Sequence, residues 1–161
     1  MITQDKLKNL FDYVDGQLIA KTKSKGRNIG DALHSVTEKG YLRGSFDGRQ
    51  YRVHRLVFLY FHGYMPEQID HIDGNRQNNR IENLREATSA QNNQNRMATG
   101  ATKIKGVCWH KQSSKWVASI CINRKSVHLG SFENIEDAAL VATKARQKLH
   151  GEFARGQAEH R

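Results

Sequence analysis

The sequence predicts an α+β protein built from two modules. Three observations carry that expectation: short alternating apolar and polar runs before residue 54, a polar Asn- and Arg-rich middle at 68–96, and three further alternating runs after residue 102 that lead into one long helical pattern. With 37% apolar residues in a chain of 161, two modest cores fit better than one large one.

The first element is a short helix marked by Leu7, Leu10 and Phe11, with Thr3 placed to cap it and Asp5 in its first turn. Strands are expected around residues 17–22 and 40–53. Within the second, Phe46-Asp47-Gly48-Arg49 reads as a hairpin turn, because Asp-Gly accepts the positive φ such turns need. Residues 54–61 carry Leu56, Val57 and Tyr60 at helical spacing, and Gly63 and Pro66 end that helix. In the polar middle, Ile69, Ile72, Ile81 and Leu84 pin a loop-rich fold, and Asn75, Asn78 and Asn79 are expected to serve turn geometry. Residues 97–102 are small and without periodicity, as in a linker. Residues 106–110, 115–122 and 126–132 alternate as three strands. Residues 134–150 follow as a helix with a stripe of Ala138, Ala139, Val141, Ala142, Ala145 and Leu149, capped by Asn134 with Asp137 in its first turn. The expected modules are 1–96 and 105–154, with a linker at 97–104 and a tail at 155–161.

The formal charge is +10, spread over both halves: 15 basic against 11 acidic groups in 1–96, and 11 against 5 in 97–161. A distributed basic surface attracts a polyanion and releases its counterions on binding. No long apolar run or signal-peptide pattern is present, so a soluble, cytoplasmic chain without membrane contact is expected. Cys108 and Cys121 lack zinc-site spacing and are expected as free thiols in a sheet.

Chemistry concentrates in Asp70-His71-Ile72-Asp73-Gly74-Asn75, in Glu82-Asn83-Leu84-Arg85, and at Asn92. Adjacent residues on an extended backbone point to opposite sides, so Asp70 and His71 need a bend or a sheet end to face one phosphate. Asn92 lies in a helix-compatible segment that starts near Thr88 and Ser89. Oxygens of Asp70 and Asn92 could converge on a hard divalent cation such as Mg²⁺, while His71 suits a general base acting on water.

With His54-Arg55-Leu56-Val57 preceding these residues, the run from 51 to 96 resembles the HNH nucleases of the ββα-metal fold, especially the phage homing endonucleases. The resemblance implies Asp70 and Asn92 as metal ligands for one Mg²⁺ or Mn²⁺, His71 as catalytic base and Asn83 as the residue that orients it. No structural zinc is expected, because no metal-like Cys/His spacing surrounds Cys108 and Cys121. His54 either supports the site or packs the helix that follows it, and Arg76 and Arg80 are candidate phosphate contacts.

Residues 105–154 resemble the APETALA-two/ethylene-response-factor type of DNA-binding domain. The likeness rests on Lys105-Gly106-Val107, residues 115–120, Leu129-Gly130-Ser131-Phe132 and the Ala-rich helix. It implies a three-stranded antiparallel sheet packed on one helix, with the sheet lying in the DNA major groove. Alternation exposes a face of Cys108, His110, Ser119, Cys121, Ser126 and His128, which differ from the base-reading arginines and tryptophan of the plant domains. Lys105, Lys111, Lys115, Arg124 and Lys125 are expected on phosphates, His110 and His128 on DNA, and Trp109 and Trp116 in packing.

The expected function is a metal-dependent endonuclease of homing type that nicks or cuts double-stranded DNA as a monomer or weak homodimer. The alternative is a non-catalytic DNA-binding regulator on an HNH scaffold.

Overall fold

The computed structural model describes residues 2–46, 48–96, 98, 102–123 and 125–154. Met1, Asp47, half of the expected 97–104 linker, Arg124 and the 155–161 tail lie outside the described residues. The chain forms two compact units, residues 1–92 and 93–161.

In the first unit, α1 (Gln4–Leu10) starts at Thr3, whose hydroxyl accepts from the Lys6 N–H. β1 (Phe11–Val14) and β2 (Gln17–Ala20) then pair as an antiparallel hairpin. Its two-residue turn, Asp15-Gly16, has φ of 49° and 84°, the left-handed pair that a tight hairpin requires. Only the second of these strands was expected. Phe11, expected at the end of the helix, begins β1 instead, because the chain turns extended there at φ −136°. β3 (Ser35–Val36), β4 (Leu42–Phe46) and β5 (Arg49–Arg52) form a second antiparallel sheet. Phe46 pairs with Arg49, which leaves two residues for the expected turn, and Gly48 sits at φ 70°.

α2 (Val53–His62) is the centre of this unit. Its buried face carries Val53, His54, Leu56, Val57, Phe58 and Leu59. Left-handed Gly63 closes it, with its N–H bonded to the Leu59 carbonyl. Leu7, Leu18, Val53, Leu56 and Val57 are wholly buried in one cluster, each contributing about 1.5–3 kcal/mol relative to exposure. β6 (Ile69–His71), antiparallel to β7 (Leu84–Glu86), adds Ile69 and Leu84 to this core, and α3 (Ser89–Asn95) follows in the chain. The result is a ββα succession in which Asp70 and His71 occupy a strand only three residues long.

The second unit is the expected sheet and helix. β8 (Val107–His110), β9 (Lys115–Ile122) and β10 (Lys125–Phe132) pair antiparallel in the order β10-β9-β8. α4 (Ile135–His150) follows, with Asn134 at its N-cap position but making no side-chain capping bond. Val107, Ala118, Ala138 and Ala142 form the small core, flanked by Ile104, Trp116, Leu129, Phe132 and Ile135. The alanines let helix and sheet approach closely. Gly106 is required for the same reason: a Cβ there would fall 2.4 Å from the Ser119 carbonyl oxygen, at φ 81°. The expected helix stripe differs at its end. Leu149 is half exposed, while Arg146 is buried and donates to the Lys105 carbonyl and to Thr143. Its aliphatic stem packs like an apolar residue once the guanidinium finds acceptors.

No helix among the described residues is long and apolar enough to cross a membrane.

Candidate active site and nucleic-acid interface

β6 places Asp70 and His71 side by side, each only 5% exposed. Burying a carboxylate requires a partner, and the β6–β7 register supplies one by setting Arg85 opposite Asp70. The Arg85 Nε and Nη2 donate to Asp70 Oδ2 at 2.9 and 2.8 Å. Asn92, one turn into α3, reaches the same strand. Its Nδ2 donates to Gln68 Oε1 at 3.0 Å and to the Ile69 carbonyl at 3.4 Å. The carboxamide of Asn92 is thereby fastened beside the residue that precedes Asp70.

His71 Nε2 lies 3.0 Å from Asn79 Oδ1. A carboxamide oxygen only accepts, so Nε2 carries the hydrogen and the lone pair falls on Nδ1. Burial lowers the His71 pKa below its ordinary 6.5, and the Asn79 bond and the charges of Asp73 and Asp70 only partly offset it. The imidazole is therefore neutral near pH 7, the form a base needs.

His54 stands behind this ring. Their centroids are 5.0 Å apart at 80°. Burial, followed by the charges of His71, Arg52 and Arg55, lowers His54 from 6.5 to about 3. Its Nδ1 is buried without a partner. Tyr41 completes the aromatic group at 5.4 Å from His54 and 6.1 Å from His71, with the guanidinium carbons of Arg52 and Arg76 at 4.6 and 4.9 Å from its ring. These distances are within cation–π range, and they set two cations beside the histidine pair.

Loop 72–83 connects the strands through asparagines. Asn83 accepts from the Asp73 N–H at 3.0 Å and donates to Asp73 Oδ1 at 2.9 Å and the Asn78 carbonyl at 2.8 Å. Burial alone would raise the Asp73 acid, but hydrogen bonds from Asn78, the Asn75 N–H and Asn83 outweigh it and hold the acid below its ordinary range. Asn75 and Asn78 accept from the N–H two residues on, as turn asparagines do. Asn79 departs from that expectation. It is 1% exposed, its Oδ1 is on His71, and its Nδ2 is buried without a partner. Such an orphan donor costs about 1–3 kcal/mol.

A carboxylate and a carboxamide, as on Asp70 and Asn92, offer the oxygen donors that a hard divalent cation accepts alongside waters. Among the described residues, no group of three or more His, Cys, Asp or Glu is placed to hold a metal.

The remaining sequence candidates separate by exposure. Arg76 donates to the Lys39 carbonyl while lying over Tyr41. Arg80 is paired with Asp15, its Nε 2.6 Å from Oδ1. In the second unit Ala118 and Ile120 face the helix, so Lys115, Val117, Ser119 and Cys121 point the other way. The register puts Cys108 and His110 of β8 and Ser126 and His128 of β10 on that same outer face. His110 Nδ1 contacts the Ser113 hydroxyl and accepts from the Ser113 N–H, which ties it to the β8–β9 turn. Trp109 packs edge-on against Trp116 at 4.9 Å, though it remains 44% exposed. Lys111, Lys115 and Lys125 are exposed, and Arg124 is outside the described residues. Lys105 is different: its ammonium donates to the carbonyls of Asn93, Gln94 and Arg96 at 3.1, 2.6 and 2.8 Å. Burial, with Arg146 and Arg96 nearby, lowers its pKa.

Residues 51–94 match the family described as HNH endonuclease, and residues 102–152 match the AP2 domain. The chain is 32% identical over 108 residues to Protein 3.8 of Escherichia phage T7, covering 65% of this chain and 88% of that protein. It is 39% identical over 77 residues to DNA endonuclease I-HmuI of Bacillus phage SP01, covering 44% of each. It thus spans most of the first relative but less than half of the second. The solved structure "DNA binding and cleavage by the HNH homing endonuclease I-HmuI" aligns with a TM-score of 0.39 at 24% identity, over 83% of this chain and 72% of that one. The chain belongs to the HNH endonuclease family and carries an AP2 domain after its HNH segment.

Proposed function

We propose that the protein is a homing-type DNA endonuclease that hydrolyses one phosphodiester per active site with a divalent cation, Mg²⁺ or Mn²⁺. The observation that carries this reading is the ββα arrangement itself. Asp70 and His71 share one short strand, and Asn92 is hydrogen-bonded to that strand from the helix that follows.

Asp70 and Asn92 would hold the cation by their oxygens. When bound, it would supply positive charge for the phosphate oxygens and the leaving 3′ oxygen. His71 takes the proton of the attacking water at Nδ1 while Nε2–H stays bonded to Asn79. Asn83 keeps the loop closed, and His54 backs the ring as a neutral packing partner. Arg76, exposed and held beside Tyr41, would meet an adjacent phosphate. Target preference comes from the outer face of the β8–β10 sheet laid on double-stranded DNA, with His110 and His128 among the groups facing bases and Lys111, Lys115, Arg124 and Lys125 on phosphates. Lys105 is left out of that set because its three N–H groups are already on carbonyls. Arg80 is left out because Asp15 neutralises it.

Incubation of supercoiled plasmid with wild type and His71→Ala tests the reading. Relaxed or linear product that needs Mg²⁺ or Mn²⁺, and that His71→Ala does not make, supports it. A second reading, a DNA-binding regulator without catalysis, draws on the Arg85 guanidinium that already neutralises Asp70. DNA binding by wild type without cleavage in either metal favours it.

A further inference from the structure

Four features converge on one side chain. Asn79 is almost fully buried, and its Oδ1 lies 3.0 Å from His71 Nε2. Its Nδ2 closes no turn, unlike the amide groups of Asn78 and Asn83, and stays buried without a partner. Asn83, the residue matched to the orienting role, spends its carboxamide on Asp73 and Asn78. Finally, the backbone of Asn79 is pinned from its far side by the β1–β2 hairpin. A Cβ on Gly16 would fall 2.8 Å from the Arg80 nitrogen and 3.0 Å from the Asn79 carbonyl carbon. Asp15 pairs with Arg80, and Tyr13 Oη accepts from the Ile81 N–H at 3.0 Å. The hairpin is itself anchored in the core through Phe11 and Leu18.

We propose that Asn79 is the positioning residue of His71, fixing its ring orientation and keeping the hydrogen on Nε2, and that the hairpin Tyr13-Val14-Asp15-Gly16 is the clamp that holds Asn79 in place. A carboxamide oxygen that faces Nε2 excludes the other neutral tautomer, in which two acceptors would meet. The lone pair is thereby kept on Nδ1, on the opposite side of the ring. The clamp lies before residue 51, so it assigns a task to the N-terminal segment. The value of this device for cleavage rests on the reading of His71 as base, but its existence does not.

The test uses the full chain labelled with ¹⁵N-histidine, with the His71 ring signals assigned by their loss in His71→Gln. Wild type is expected to show hydrogen on Nε2. Asn79→Leu, which keeps the volume and removes the acceptor, is expected to lose that fixed tautomer, and Asn79→Asp to retain the Nε2 hydrogen. Asn79→Ser, too short to reach the ring, is expected to behave like Asn79→Leu and serves if the leucine variant does not fold. Plasmid nicking by Asn79→Leu should fall about 10- to 100-fold, the range seen when the hydrogen-bond partner of a metal-bound histidine is removed, with DNA affinity unchanged. A wild-type tautomer in Asn79→Leu or Asn79→Ser overturns the proposal. Full nicking by His71→Ala would instead overturn the base assignment, while the nitrogen signals still decide what Asn79 does.

Discussion

His54 meets His71 edge to face, with 5.0 Å between the ring centroids, and both rings are buried in neutral form. Two imidazoles in contact cannot both be charged cheaply. Burial first, and then the charge of His71, lowers His54 to about 3.

A pH dependence follows with a definite sign. In the unfolded chain His54 binds a proton below its ordinary value of 6.5, whereas the folded chain binds it only near 3. The unfolded state therefore gains protons first, and stability is lost progressively as pH falls through that window. His54→Phe keeps a ring and removes the titration. Its melting temperature should decline less steeply than that of wild type between about pH 7 and pH 4, measured by circular dichroism. An equally steep decline would show that His54 is not the acid-sensitive group.

Gly16 and Gly26 form a matched pair of tests. Both have positive φ, 84° and 78°, but a Cβ at Gly26 meets nothing within 4 Å, whereas at Gly16 it meets backbone. Gly26→Ala should cost about 1–2 kcal/mol for the left-handed conformation alone. Gly16→Ala adds a collision that the Asn79–Arg80 backbone must absorb, for a total of about 3 kcal/mol. Urea denaturation of the two variants separates the terms.

Arg85→Leu would remove the guanidinium whose Nε and Nη2 both donate to Oδ2 of the buried Asp70 carboxylate. Breaking such a pair from one side costs about 3–5 kcal/mol, and added Mg²⁺ should restore part of the loss if Asp70 is a ligand. Thermal unfolding with and without Mg²⁺ reads both effects.

On the second unit, exposed Lys111 and Lys125 should act on DNA through charge alone. Each alanine variant should reduce the slope of log affinity against log salt by about 1, uniformly across sequences. His128→Ala, on the outer face opposite Ser119, should instead change which sequences are preferred and leave the slope nearly intact. Binding titrations on a small panel of duplexes at several salt concentrations distinguish the two behaviours.

Much of this architecture was legible in the residues. The strands β8, β9 and β10 and the helix α4 announce themselves because strict alternation gives way to helical spacing across short turns. The Asp70, His71, Asn83 and Asn92 pattern stands out from a run of otherwise ordinary turn asparagines. Other features were hidden for physical reasons. The Asp15-Gly16 turn carries the same hairpin signal as Asp47-Gly48, yet Phe11 continues a helical stripe and masks the start of β1. Nothing local separates Asn79 from Asn78: one is buried on a ring eight positions away and the other closes a turn, and only tertiary packing decides between them. Lys105 reads as a surface cation because its carbonyl acceptors, Asn93, Gln94 and Arg96, leave no trace in side-chain chemistry. Arg146 sits where an apolar residue was expected, since a long aliphatic stem fills the same space.

The β1–β2 hairpin rests on the backbone at Asn79 and Arg80, yet it lies upstream of the stretch shared with the HNH family. A fragment trimmed to residues 51–94 would leave that backbone unsupported, and the Asn79 side chain on His71 would lose its constraint. Anyone grafting this HNH unit onto a different DNA-binding domain would need to begin the cassette near residue 4 rather than at the family boundary.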